Sequence, residues 1–483
     1  MLTYSFSGIG SESLYAHLYQ CIKNDILQGS LHPGERLPSK RSFAKHLNIS
    51  TITVENAYLQ LMAEGYINSV PKKGYYVADL VCPAAKKSQP RREDRRELPK
   101  APQVFADFLS NRTRRENFPF SIWARLMREV ISEQSEALMT NPPGAGISEL
   151  RAAIAAHLLQ FRGMRVHPEQ IIIGAGTEYL YGLLIQLLGR ERTFAVEDPG
   201  YQKLALIYRS FQAQCRFIPL DCQGASVEAL EESGANVMHI SPNHHFPTGL
   251  VTPIGRRYEL LAWASRAENR YVIEDDYDCE FRLQGKPIPA LQSIDVMEKV
   301  IYMNTFTKSL APTIRISYMV LPQHLLEAFR QRLGFYACTV STFEQYTLAR
   351  FLGEGYFEKH INRMRNYYRS LRDALLTGIR ESPMAAFSHI REEEAGLHFL
   401  LQIRTGLPDR EIIRRAAERG VRISCLSQYY HEAETPAEHT LILNYSGLAR
   451  EQIPEAVTRL NGIFADDEKS HDVRKEKQQL VLD

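Results

Sequence analysis

The chemistry-bearing residues of this chain fall on two short stretches. In the first, Asn304–Thr305–Phe306–Thr307–Lys308–Ser309–Leu310–Ala311–Pro312–Thr313–Ile314–Arg315, a lysine lies among hydroxyls just after the apolar run Val300–Met303, with an arginine following. A lysine amine can form a Schiff base with a carbonyl compound while neighbouring hydroxyls and a guanidinium hold a phosphate. The second, Tyr271–Val272–Ile273–Glu274–Asp275–Asp276–Tyr277–Asp278–Cys279–Glu280–Phe281, is an apolar run that ends in acids around one tyrosine. A pyridoxal ring needs a carboxylate against its nitrogen, so that it stays protonated and draws electrons, and a phenol against its 3-oxygen. Asp275 and Tyr277 suit those two roles. Taken singly, each stretch has a plainer reading, a surface lysine or a solvated or metal-binding acidic loop. The acids do not follow the glycine-centred spacing of a calcium loop, and a metal loop would leave the lysine stretch unexplained. Together the stretches point to pyridoxal 5'-phosphate held by Lys308, with no metal.

Both stretches need strands to end where they begin. Between residues 104 and 465 strand-like runs such as Ile171–Ile173, Thr193–Val196, Val237–Ile240, Tyr271–Glu274 and Val300–Met303 alternate with helical patterns. That alternation predicts an α/β domain with a mostly parallel sheet covered on both faces and its ligands at the strand ends. Other strand-end motifs fit the same ligand. Gly174–Ala175–Gly176–Thr177 opens a predicted helix, where backbone N–H groups can hold an anion. Glu197–Asp198–Pro199–Gly200–Tyr201 offers a tyrosine to stack on a ring, and Ser241–Gly249 supplies a further turn. A core tyrosine and plain glycine turns are the alternatives for each motif alone.

The first eighty residues have a different pattern. Apolar residues at Leu14, Leu18, Cys21, Ile22 and Ile26 predict a helix from Leu14 to Leu27, and Ser39 caps a second helix to about Leu47. Ser50 caps a third to about Glu64, and a hairpin follows around Pro71–Lys72–Lys73–Gly74. This is a winged helix-turn-helix. Residues 1–80 carry seven Lys or Arg and six Asp or Glu, so they are not strongly basic, and a helical module that binds protein remains the alternative. Residues 80–103 are Pro-rich and basic, and read as a flexible linker with a reach of about 25–30 Å. The tail 466–483 is charged and patternless, which predicts disorder.

The chain has 483 residues and a net charge of +2, enough for two or three domains. Its seven cysteines form no Cys-x-x-Cys pair and no zinc spacing, which favours reduced thiols in a cytosol. The start Met1–Ser7 lacks the form of a signal peptide, and no segment reaches the roughly eighteen apolar residues of a membrane helix. A cytoplasmic protein is expected.

The pattern Pro33–Gly34, Leu37–Pro38–Ser39, Phe43–Ala44, Leu47, Ser50, Thr53–Val54, Ala57–Tyr58, Leu61, Glu64–Gly65, Gly74 and Val77 resembles the DNA-binding domain of GntR-type bacterial regulators over residues 11–79. The resemblance implies that Ser50–Ala57 enters the major groove. Ser39, Lys40, Arg41, Ser50, Thr51, Thr53, Lys72 and Lys73 are then the candidate DNA contacts. Thr51 stands where the family often has arginine. Residues 104–465 resemble the fold type I pyridoxal phosphate enzymes, the aminotransferases among them, and the whole chain resembles the MocR subfamily of GntR-type regulators. That resemblance implies an internal aldimine on Lys308, Asp275 on the pyridine nitrogen, Tyr277 on the 3-oxygen and Tyr201 on the ring. Gly176, Thr177, Thr305, Thr307 and Arg315 would hold the phosphate.

Three departures from the aminotransferases stand out. Phe246 replaces an asparagine that touches the 3-oxygen, leaving His244 or His245 to substitute. Asn141 stands where a partner-subunit tyrosine reaches the phosphate. The strand Thr440–Tyr445 lacks the arginine that clamps a substrate carboxylate, so Lys203, the leading effector-binding candidate, Arg404 and Arg422 are the cations on offer. The sequence therefore predicts a homodimeric transcription regulator that binds DNA half-sites and senses a small amine, an amino acid or pyridoxal phosphate. The alternatives are a genuine aminotransferase carrying a DNA-binding module, and a decayed domain kept for dimerisation.

Overall fold

The computed structural model describes residues 2–4, 6, 13–79, 104–109, 112–283, 289–391, 396–432 and 436–465. The expected linker 80–103 and tail 466–483 lie outside the described residues. The chain divides into two compact units, Met1–Lys100 and Ala101–Asp483.

In the first unit, α1 (Leu14–Leu27), α2 (Lys40–Leu47) and α3 (Thr51–Ala63) precede a wing in which β1 (Arg36–Leu37), β3 (Gly74–Val77) and β2 (Ile67–Val70) pair antiparallel, in that order. The caps decide where the helices begin and end. Ser39 Oγ accepts from Ser42 N at 3.2 Å and Ser50 Oγ from Thr53 N at 3.1 Å, each satisfying a backbone donor that a helix start leaves free. Asn48, in the left-handed region at φ 54°, closes α2 two residues before Ser50 starts α3. Leu18, Ile22, Phe43, Val54, Tyr58, Leu61 and Val77 bury their side chains in one core between the helices and the wing.

The second unit is built on an eight-stranded sheet. Its strands are β5 (Ile171–Gly174), β6 (Thr193–Asp198), β7 (Gln214–Asp221), β8 (Gly224–Ala225), β9 (Val237–Ile240), β10 (Tyr271–Asp275), β11 (Val300–Thr305) and β12 (Ser317–Val320), in the order β5-β12-β11-β10-β9-β6-β7-β8. β7, β6, β9, β10 and β11 run parallel, and β12 lies antiparallel between β11 and β5. Alternate residues of these strands serve separate cores. Ile171, Ile173, Tyr302 and Tyr318 join one, while Ile172, Ile301, Met303 and Met319 join another. A strand apolar on both faces must be covered on both, each such side chain contributing about 1.5–3 kcal/mol. A smaller antiparallel sheet orders β13 (Ser388–Arg391), β14 (His398–Ile403), β17 (Thr440–Asn444) and β16 (Ser424–Cys425), and β4 (Ala106–Asp107) pairs with β15 (Val421–Arg422). Among the described residues no helix is long and apolar enough to cross a membrane.

Candidate functional site

A cavity of about 390 Å³ opens at the carboxyl ends of β6, β9, β10 and β11. Its walls include Gly176, Thr177, Tyr201, Asp275, Tyr277, Thr305, Thr307, Lys308 and Arg315, nine of the residues the sequence singled out. The strands explain the convergence: parallel neighbours end at one edge of the sheet, so the turns that follow them face one space.

Lys308 lies on the single turn Phe306–Ser309 after β11, with its Nζ 5.9 Å from the centre of the Tyr277 ring. Burial pushes its pKa down, opposed by Asp278 and Asp275, which favours the neutral, nucleophilic amine. Thr305 caps this turn. Its Oγ1 accepts from Thr307 N at 3.1 Å and from Ser317 Oγ at 2.7 Å, and donates to Thr307 Oγ1 at 2.8 Å.

Asp275 is buried at the end of β10. One of its oxygens, Oδ2, accepts from the Tyr181 hydroxyl and faces His239 Nε2 at 3.6 Å; the other, Oδ1, is buried without a hydrogen-bond partner. An unpaired carboxylate oxygen is costly unless a ligand completes it. Burial, reinforced by Asp278, keeps the Tyr277 phenol protonated by pushing its pKa well up. Its hydroxyl lies 3.3 Å from His244 Nδ1, which is also 2.7 Å from Asp278 Oδ2. Behind this turn Arg162, itself buried, pairs with Asp276 Oδ2 at 2.8 Å and fixes the acidic segment against the sheet.

On the opposite wall Gly176 begins the helix Thr177–Leu188 at φ 92°. A Cβ there would collide with Arg315 Nη2, so only glycine lets the guanidinium close over this helix start. Helix N–H groups and a guanidinium make an anion cradle. Tyr201 caps the next helix, Gln202–Ser210, with its ring edge-to-face against Phe246 at 6.2 Å. An amine, an unpaired carboxylate oxygen, a phenol and an anion cradle in one cavity suit a planar ring bearing a nitrogen, a carbonyl and a phosphate.

Other expected residues sit elsewhere. His244 is not among the residues lining the cavity; it packs behind Tyr277 and against Gly396, where a Cβ would overlap its ring, and His245 lines the wall instead. Lys203 lies outside the lining too, its Nζ paired with Glu178 Oε1 at 2.8 Å, while Glu178 Oε2 faces Arg315 at 3.6 Å. Arg404 donates to the Ala386 carbonyl at 2.8 Å and Arg422 pairs with Asp107 at 3.1 Å, both outside the lining. Asn444, at the end of β17, lines the cavity; it belongs to the strand near which the aminotransferase resemblance would put an arginine clamp. Sequence reasoning passed over Tyr181, His239, Glu178, His398 and Asn444. One signal for His239 was available, an imidazole in the middle of the apolar run Val237–Ile240.

In the first unit, Ser39, Ser50 and Thr53 are engaged in the helix caps, and Lys40 pairs with Glu55 beside the Tyr75 ring. Arg41, Thr51, Lys72 and Lys73 are exposed, and Lys72 sits at the tip of the wing at φ 63°. Ile52 and Asn56, one turn apart on the outer face of α3, are exposed as well, with Ile52 69% accessible.

Residues 14–77 match the family described as bacterial regulatory proteins, gntR family. The second unit is similar to the crystal structure of kynurenine aminotransferase from Pyrococcus horikoshii in complex with PMP and its substrates and products. The TM-score is 0.67 at 25% identity, covering 75% of this chain and 91% of that one. An uncharacterised HTH-type transcriptional regulator of Bacillus subtilis, YdeL, is 37% identical over 93% of this chain and 96% of its own. The probable rhizopine catabolism regulatory protein MocR of Rhizobium meliloti is 31% identical over 93% of this chain and 94% of its own. With a gntR-type domain in front of an aminotransferase fold and regulators such as MocR matched over nearly their whole length, the chain belongs to the MocR subfamily of GntR-type transcription regulators.

Proposed function

We propose that this regulator binds pyridoxal 5'-phosphate in the cavity of its aminotransferase-like unit and transmits the arrival of a small amine to DNA held by its winged-helix unit. The observation that carries this reading is the buried, unpartnered Asp275 Oδ1 in the same cavity as the Lys308 amine. When bound, the cofactor supplies a carbonyl that condenses with amines and a ring that draws electrons. Lys308 would hold it covalently, Asp275 Oδ1 would pair with the ring nitrogen, and Tyr277 would donate to the 3-oxygen. Tyr201 would cover the ring, while Gly176, Thr177, Thr305, Thr307 and Arg315 would take the phosphate. His244 would act through Tyr277, by orienting the phenol.

The chain works as a homodimer in the cytoplasm. Phe335 and Met139, both 76% exposed, together with half-exposed Tyr336, present apolar surface near the Pro142–Gly146 loop, suited to a second copy. A two-fold dimer also matches paired DNA half-sites. The proposed domain limits are 11–79 for DNA binding, 80–103 for the tether, 104–465 for sensing and 466–483 for the tail. A ligand can shift DNA affinity only by its differential affinity for the two arrangements of the molecule. A regulator gains nothing from turnover, and the described cavity lining offers no arginine clamp to orient an α-amino acid.

Borohydride reduction of the protein loaded with pyridoxal phosphate should fix the cofactor on Lys308, and Lys308→Ala should abolish the adduct. An adduct on another lysine would overturn the assignment. The rival reading, a working aminotransferase, is favoured by the joint survival of Lys308, Asp275 and Tyr277 in one cavity. Single-turnover conversion of common α-amino acids to keto acids, with no change in operator affinity, would decide for it.

A further inference from the structure

The cavity wall left over by the proposed cofactor contacts has a definite character. Leu109, Val196, Leu204, Phe246 and Leu397 give it an apolar part, and Asn444 adds an uncharged amide. Asn444 Oδ1 already accepts from Ser446 N at 3.0 Å and Ser446 Oγ at 2.7 Å, which leaves its amide N–H groups as the polar feature it can offer. Tyr181, Ser241 and three histidines, His239, His245 and His398, share this wall. Burial pushes the pKa of His245 down to about 3 and that of His398 well below the usual imidazole value, so both are neutral rings at physiological pH.

The positive charges are committed elsewhere. Lys308 is the amine anchor and Arg315 closes the anion cradle. Lys203 is neutralised by Glu178. Arg404 and Arg422 lie outside the cavity lining. Three acids line the same cavity, Glu178, Asp275 and Asp278, and a fourth, Glu197, is kept protonated by burial. A carboxylate brought into this space would lose its hydration, meet apolar surface and one neutral amide, and face acids; burying an unpaired anion in that way is strongly unfavourable. The apolar part of the wall accepts the substituent of an amine, which gains about 0.8 kcal/mol for each CH₂ it buries.

We propose that the ligand recognised here is a primary amine whose remaining substituent is uncharged and apolar, the chemical class of a decarboxylated amino acid, rather than an amino acid. This rests on the reading of the cavity as an amine-sensing cofactor site, and Asn444 is its specificity-determining residue.

Matched ligand pairs test it on the full-length protein loaded with pyridoxal phosphate: phenethylamine against L-phenylalanine, and butylamine against 4-aminobutanoate. Two readouts are followed, the near-visible absorbance of the cofactor and affinity for a DNA fragment carrying the operator. Each amine should act at a concentration at least tenfold lower than its carboxylate-bearing counterpart. Asn444→Arg should narrow or reverse that ratio, while Asn444→Gln should leave it in place. Equal or tighter response to the amino acids in the unsubstituted protein would overturn the inference while the cofactor-site reading stands. No cofactor absorbance band, or a band that no amine perturbs, would remove the cofactor-site reading and the inference together.

Discussion

Glu197 is buried at the end of β6, with Ser241 N at 3.0 Å as its hydrogen-bond donor and His245 Nε2 at 3.4 Å. Burial pushes its pKa up to about 8. An unfolded glutamate gives up its proton from about pH 4.5, while the folded one keeps it until about 8, so folding holds a proton that unfolding releases. Stability must therefore fall as pH rises across that window. Glu197→Gln, which keeps the shape and cannot ionise, should flatten the decline in melting temperature between pH 5 and 8; an unchanged profile would mean that Glu197 is ionised in the native protein. Single residues also show where reading a sequence reached its limit. Lys308, Asp275 and Tyr277 were legible as neighbours in one cavity because the strands before them fix where each side chain emerges. Lys203 and His244 were not, because an ion pair with Glu178 and the close approach of Gly396 are made by residues distant in sequence or on another turn of the fold.

The elements of the winged unit can be tested separately for DNA binding. Lys72 and Lys73 are exposed at the wing, and if they meet phosphates, replacing both with alanine should weaken binding to every sequence. It should also reduce the slope of log affinity against log salt by up to about 1.8, roughly 0.9 for each phosphate no longer neutralised. Ile52 and Asn56 on α3 are of the types that read a thymine methyl group and an adenine edge. Asn56→Ala should instead change which operators are preferred and leave the salt slope in place, as competition between operator variants at two salt concentrations would show. Helix limits here were readable to within a residue or so, since Ser39, Ser50 and the Asn48 turn are local signals. The large sheet was less complete: its parallel strands were visible as apolar runs, but the antiparallel direction of β12 depends on how the chain returns after Arg315, which no local pattern reveals. β7, with its mix of exposed and half-buried residues, lacks the apolar run that marked the others.

At the scale of the whole chain, the division into two compact units makes ligand effects separable. A ligand that binds only the native second unit stabilises it by about 2.7 kcal/mol at a hundred times its dissociation constant. Calorimetry with pyridoxal phosphate should then raise the transition belonging to the second unit and leave the first in place, and operator DNA should do the reverse. A single transition raised by either ligand would mean that the units unfold as one. The pairing of β11 with β12 carries one last implication. Thr305 lies opposite Ser317, and Phe306 N donates to Ile316 O at 2.9 Å, so the excursion holding both Lys308 and Arg315 starts and finishes at the same rung of the sheet. That excursion is a ruler of fixed length between the two anchors. Its residues can drift through substitution, but inserting or deleting even one would either part the anchors or slip β12 and turn Tyr318 from one core into the other. New ligand specificities in such a chain can arise by exchanging side chains on the opposite wall, and hardly ever by changing length here.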